Sequence, residues 1–130
     1  SRAWGEAKLE TYKINNRYYF KIDDIAKLSA KTNKSFNVKF EKNAIVVNSM
    51  SPYKGTAPLK AGDGKTRYAE ASTKSIIWDG QVVGLTCYKI NGKYYVNMDE
   101  IAYLLDSQID ELKTGFYIST TLPNEVEAYG

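Results

Sequence analysis

A stretch of 18 residues occurs twice in this chain and dictates most of what it can fold into: YKINNRYYFKIDDIAKLS, Tyr12 to Ser29, and YKINGKYYVNMDEIAYLL, Tyr88 to Leu105. The copies align without a gap at an offset of 76, with 10 of 18 positions identical. Conservative exchanges such as Arg17/Lys93, Phe20/Val96, Ile22/Met98 and Asp24/Glu100 fill much of the rest. Such a repeat makes two copies of one supersecondary unit the expected architecture.

The unit reads as a hairpin followed by a short helix. Asn15-Asn16 and Asn91-Gly92 lie between runs of alternating tyrosine and aliphatic residues. Both dipeptides tolerate the positive φ angles of a two-residue hairpin turn. Asp23 and Asp99 follow the second strand as the expected N-caps of helices. The apolar helical positions are Ile25, Ala26 and Leu28 in the first copy, and Ile101, Ala102, Leu104 and Leu105 in the second. A turn at Asn91-Gly92 sets Tyr88 against Tyr95 on one face, as Tyr12 meets Tyr19 in the first copy. Cys87 then faces Val96 and Leu85 faces Met98 on the other side, the expected core face.

Around these units, Phe36–Phe40 and Ala44–Asn48 read as two strands about a turn at Glu41 to Asn43. The joining segment Ser49–Lys74 carries Pro52, Gly55, Pro58, Gly62 and Gly64, too many breakers for a helix, although Thr66–Ser72 can form one extended strand. Asp79-Gly80 is a further tight-turn dipeptide, and the spacing predicts a three-strand meander from Ser75 to Met98. Past the second helix no second hairpin is recognisable; Gly115–Leu122 reads as a strand and Pro123–Gly130 as a loose tail. Residues 1–10, with Trp4 and Leu9, lead into the first strand. The expected division is repeat one at 1–50, a linker at 51–73 and repeat two at 74–130, with one compact unit as the alternative. The fold class is α+β: two tandem repeats with antiparallel β-sheets and one short α-helix each.

Composition removes whole classes of function. The chain has 130 residues, enough for a proper core, and no histidine. That takes away the usual general base, the usual nucleophile activator and the commonest transition-metal ligand. Cys87 is the single cysteine and reads as a small buried hydrophobe. Acidic spacing like that of an EF-hand is missing too, so no catalytic, cofactor-binding or metal-binding residue is expected and the chain does not read as an enzyme. GDGKT at Gly62–Thr66 evokes a phosphate loop, but Leu59 stands where the pattern needs glycine. The adjacent carboxylates Asp23-Asp24 and Asp99-Glu100 suit the positive end of a helix better than acid–base work. With 18 basic and 15 acidic residues dispersed along the chain, the net charge of +3 argues against a nucleic-acid partner. No apolar run approaches a membrane span, so no membrane insertion is expected. Beginning at Ser1 without an initiator methionine or signal peptide, the chain reads as an excised or processed segment of a larger parent with flanking domains. Among 11 tyrosines the duplicated pairs Tyr12/Tyr19 and Tyr88/Tyr95 stand out. They either pack against the other repeat or present an aromatic surface, the candidate ligand-binding residues, to a sugar or a protein.

The repeated core resembles that of bacterial cell-surface stalk domains, also called copper amine oxidase N-terminal-like domains. Their pattern is roughly Tyr-x-Ile-x-Gly-x-x-Tyr-Phe-Lys-Leu-Arg-Asp-Leu-Ala. The first copy keeps Tyr12, Ile14, Tyr19, Phe20, Lys21, Asp24 and Ala26, with Ile22, Asp23 and Ile25 in place of Leu, Arg and Leu. FNVKFEKNAIVVNSMSPY resembles the family's post-helix hairpin and its Pro-Tyr ending, and AGDGKTRYAEASTKSIIWDGQVVGLTCYKING its linker and next repeat. The second copy departs at Val96-Asn97-Met98. The resemblance implies an antiparallel β-sheet wrapped around one short α-helix in each repeat, and an extracellular or cell-surface location in a Gram-positive-type bacterium. It implies no oxidase activity, because the copper-binding histidines and the Asn-Tyr-Asp/Glu cofactor motif are both missing. The expectation is a non-catalytic spacer module without a cofactor. The first alternative is a module recognising cell-wall polysaccharide or another surface protein through Tyr12, Tyr19, Tyr88 and Tyr95; the second is an unrecognised enzyme.

Overall fold

A computed structural model describes residues 9–49 and 51–106 in full and the backbone of 108–112 and 115–119. In chain order the elements are β1 (Thr11–Ile14), β2 (Arg17–Lys21), α1 (Ile22–Leu28), β3 (Asn37–Phe40), β4 (Ala44–Asn48), β5 (Glu70–Ala71) and β6 (Ser75–Trp78). There follow β7 (Gln81–Val83), β8 (Cys87–Ile90), β9 (Lys93–Asn97), α2 (Met98–Leu104), β10 (Gln108–Leu112) and β11 (Gly115–Ser119). The fold is α+β. Trp4 and the tail Pro123–Gly130 lie outside the described residues.

The turn chemistry gives the hairpins their register. Asn15 and Asn16 have φ of 50° and 67°, Asn91 and Gly92 of 52° and 78°, and Asp79 and Gly80 of 51° and 85°. These are the positive angles whose twist matches that of the flanking strands. Tyr12 accordingly pairs with Tyr19, Tyr88 with Tyr95 and Cys87 with Val96.

The second strands of the two hairpins then pair with each other. The five-stranded sheet runs β1-β2-β9-β8-β5, and the β2–β9 register sets Phe20 opposite Val96, its counterpart 76 residues later. Tyr19 pairs with Asn97 and Lys21 with Tyr95, each pair being the other with its members exchanged between copies. The two hairpins are therefore related by a local two-fold through the Phe20–Val96 pair, and one sheet draws on both copies.

Both helices leave the end of a sheet strand without an intervening loop, which corrects the expected caps. α1 starts at Ile22 and α2 at Met98, so Asp23 and Asp99 lie within the first turn. Starting there lets Ile22 continue from strand to core, where it is fully buried. The cap of α2 is Asn97, whose Oδ1 accepts from the Glu100 N–H at 3.0 Å. Lys21 occupies the same position in the first copy and has no acceptor to offer, leaving α1 without a side-chain cap. The aspartates still favour the positive helix end.

Phe20, Ile22, Ile25, Phe36, Ile45, Val96 and Ile101 are fully buried in one continuous core, joined by Cys87, Leu85, Leu105 and Ile76. This core lies between the five-stranded sheet, the helices and a four-stranded sheet ordered β3-β4-β6-β7. Phe20, at its centre, makes a truncation to alanine cost about 3–5 kcal/mol.

Several sequence expectations are redrawn by the second sheet. The meander over 75–98 divides: β6 and β7 join the four-stranded sheet, while β8 and β9 belong to the five-stranded one, with Gly84 to Thr86 between them. β4 and β6 pair in parallel, Ile45 opposite Ile76 and Val47 opposite Trp78, where only antiparallel pairing was expected. Parallel neighbours need a long crossover, and the segment from 49 to 74 supplies it. Among the described residues of that segment only Glu70–Ala71 forms a strand, not Thr66–Ser72. A further antiparallel hairpin, β10–β11, follows α2.

Candidate functional site

The four tyrosines singled out by the repeat converge on the face of the five-stranded sheet opposite the main core. Their strands bring them together because alternate positions of β1, β2, β8 and β9 face the same way. Tyr12 meets Tyr95 edge to face, with centroids 5.1 Å apart and planes at 83°, and Tyr19 meets Tyr88 in the same way at 5.2 Å and 81°. Each contact joins one copy to the other. Tyr19 is 4% exposed and Tyr95 1%; with Ile90 they form a second small core, against which Tyr12, Ile14, Ala69 and Tyr88 pack. The exposed, coplanar rings of a binding platform are not the arrangement found.

The hydroxyls of the two buried rings meet different surroundings in the two copies. Tyr95 donates to a Glu10 carboxylate oxygen. Burial, then this hydrogen bond, raises its phenol far above the ordinary value. Tyr19 is likewise raised by burial, against a hydrogen bond with Asn97.

Beside Tyr95 the first copy gathers Glu10, Lys21 and Asp24. The Lys21 ammonium lies 3.6 Å from Glu10 and 4.0 Å from Asp24 Oδ2, an oxygen that is buried with no hydrogen-bond partner. Asp24 is 9% exposed. Burial pushes its carboxyl up to about 6 against the pull of Lys21. The second copy holds Thr86, Asn97 and Glu100 at the matching positions and is better satisfied. There Glu100 accepts from the Thr86 N–H at 2.6 Å and its hydroxyl at 3.1 Å.

Two clefts open at opposite edges of the sheet. Along β1, a cleft of about 230 Å³ is covered by the Gly62–Arg67 segment. Its guanidinium is already engaged: Arg67 donates to both oxygens of Asp63, at 2.9 and 2.6 Å, and to the Tyr12 hydroxyl at 3.2 Å. That pairing holds the exposed Asp63 carboxyl well below the usual range. The GDGKT stretch is neither preceded by a strand nor followed by a helix, as a phosphate loop would be. At the other edge a cleft of about 370 Å³ is lined by Lys42, Lys74, Lys89, Glu70 and Tyr94 among others. Sequence reading missed it, because its residues come from separate strands and turns and carry no shared motif.

Among the described residues no group of three or more His, Cys, Asp or Glu is placed to hold a metal ion. Cys87 is buried, and burial lifts its thiol to about 11, so it stays protonated near neutral pH. No helix among the described residues is long and apolar enough to cross a membrane. Compared with known proteins, the chain matches no family model, no curated protein and no solved structure.

Proposed function

We propose that this chain is a non-catalytic structural module, a spacer of the stalk-domain kind, in a bacterial cell-surface or secreted protein. The observation that carries the reading is the mutual burial of the tyrosines: Tyr12 against Tyr95 and Tyr88 against Tyr19 tie each copy to the other. Rings committed to holding two repeats in one sheet serve rigidity, which is what a spacer needs. The extracellular location and the family membership rest on the pattern from Tyr12 to Ala26. Recognition of a glycan or protein through the tyrosine pairs has less in its favour, since Tyr19 and Tyr95 offer almost no surface. The enzyme alternative is disfavoured by the protonated thiol and the lack of histidine.

The test is a pull-down with purified bacterial cell wall, comparing the protein with a Tyr12→Ala/Tyr88→Ala variant whose folding is checked by circular dichroism. The spacer reading expects the two to behave alike. Retention lost in a folded variant would make the tyrosines a recognition surface and overturn it.

A further inference from the structure

The hairpin that follows α2 repeats the one that follows α1. Shifting β3 and β4 by 71 residues lays them on β10 and β11 pair for pair: Asn37/Asn48 falls on Gln108/Ser119, and Val38/Val47 on Ile109/Ile118. Lys39/Val46 falls on Asp110/Tyr117 and Phe40/Ile45 on Glu111/Phe116. The sequences agree in kind, NVKFEKNAIVVNS against QIDELKTGFYIST. The offset is shorter than 76 because three residues, instead of eight, separate the helix from its hairpin. β10 also lies beside α2 as β3 lies beside α1. What differs is the far neighbour. β4 pairs in parallel with β6, whose Ser75 and Asp79 N–H groups donate to the Asn43 and Val47 carbonyls at 3.0 and 2.9 Å. The Asp79 carboxylate in turn accepts from the Ser49 N–H at 2.8 Å. Among the described residues β11 pairs with β10 alone. Two strands by themselves are marginal in water, and an open strand edge is a template for another strand. Since β6 and β7 lead the second copy, the first post-helix hairpin is completed by the leading hairpin of the copy that follows it.

We propose that β11 is a docking edge for a β-hairpin of the β6–β7 kind, presented by a further repeat built on the same pattern. The incoming first strand pairs in parallel with β11, and the product is a second four-stranded sheet ordered like β3-β4-β6-β7. A second copy of this chain fits less well, because its own β6 is already held between β4 and β7. The proposal stands on the register of the two hairpins and not on the spacer reading, which the cell-wall pull-down tests separately.

Appending a second copy of residues 60–84 after Gly130 tests the assignment. It leaves 26 residues between Ser119 and the added first strand, as many as lie between Asn48 and Ser75. The tether holds the added hairpin at high effective concentration near β11. Hydrogen exchange, read by mass spectrometry, is compared for the full chain with and without this extension. The expected result is about tenfold slower exchange at 115–119 in the extended chain, with 37–48 unchanged. Ile77→Pro in the appended copy alone is the control, because strand alternation turns that N–H, midway between Ser75 and Asp79, toward the neighbouring strand. The original β6 stays intact, so the rest of the chain folds as before, and exchange at 115–119 should return to that of the unextended protein. Exchange at 115–119 that the extension leaves unaltered, or that the proline-bearing extension slows equally, would overturn the proposal.

Discussion

Replacing Asp24 by asparagine should make the protein more stable at neutral pH. Asp24 is buried, its Oδ2 lacks a hydrogen-bond partner, and its nearest cation, Lys21, stands 4.0 Å away and is shared with Glu10. Asp23 and Glu10 add like charge, so its carboxyl rises from an ordinary 3.8 to about 6. Between those values the folded chain keeps a proton that the unfolded chain releases, and stability falls as pH rises through the window. Converting the shift at 1.36 kcal/mol per pH unit gives a penalty of about 3 kcal/mol, in full force above pH ~6. Asparagine cannot ionise and escapes it. Urea unfolding of both proteins from pH ~3.5 to ~7.5 should show Asp24→Asn gaining on the parent by about 3 kcal/mol across the range. The change in the gap is the relevant quantity, because any packing difference between acid and amide is present at every pH. A gap that stays flat, or that moves against the variant as pH rises, would refute a buried and poorly compensated carboxylate.

The paired tyrosines should couple across the repeat: a double-mutant cycle of Tyr12→Ala and Tyr95→Ala by denaturant unfolding is expected to give about 0.5–1.5 kcal/mol, and Tyr19 with Tyr88 a similar value. Asn97→Ala removes the only side-chain cap on either helix and should cost about 1 kcal/mol, read from the same unfolding curves. Asn16→Gly, which installs the residue that the second copy uses at Gly92, should raise the melting temperature slightly, because Asn16 sits at φ 67°. Cys87 should resist a thiol reagent in the folded protein at pH ~8 and react once urea unfolds it, because burial holds the thiol protonated and out of reach.

Local chemistry was legible in the sequence to different depths. The dipeptides Asn15-Asn16, Asp79-Gly80 and Asn91-Gly92 located three turns, since few residues other than asparagine, aspartate and glycine take positive φ cheaply. Tyrosine alternation then fixed which rings share a face. The helix starts were misplaced because Asp23 and Asp99 carry the stronger capping signal, whereas burial of Ile22 begins the helix earlier. The parallel β4–β6 pairing and the division of the meander were out of reach, being set by the meeting of distant apolar strands. The same holds for the lysine cleft. The tyrosine pairs were found by duplication alone, and that signal cannot distinguish rings facing a ligand from rings facing each other.

The register that joins β2 to β9 has an ancestral reading. A contact in which Phe20 meets its own counterpart is the contact that two separate single-repeat chains would make about a two-fold axis. The connection from 49 to 74 then keeps one half near the other, besides supplying β5 and the Arg67–Tyr12 contact. A chain cut in that segment, or two chains exchanging halves through it, would rebuild the same central pairing. The side chains at matching positions of the two halves nevertheless differ, Lys21 against Asn97 and Glu10 against Thr86, so the pairing is two-fold in backbone register and not in chemistry.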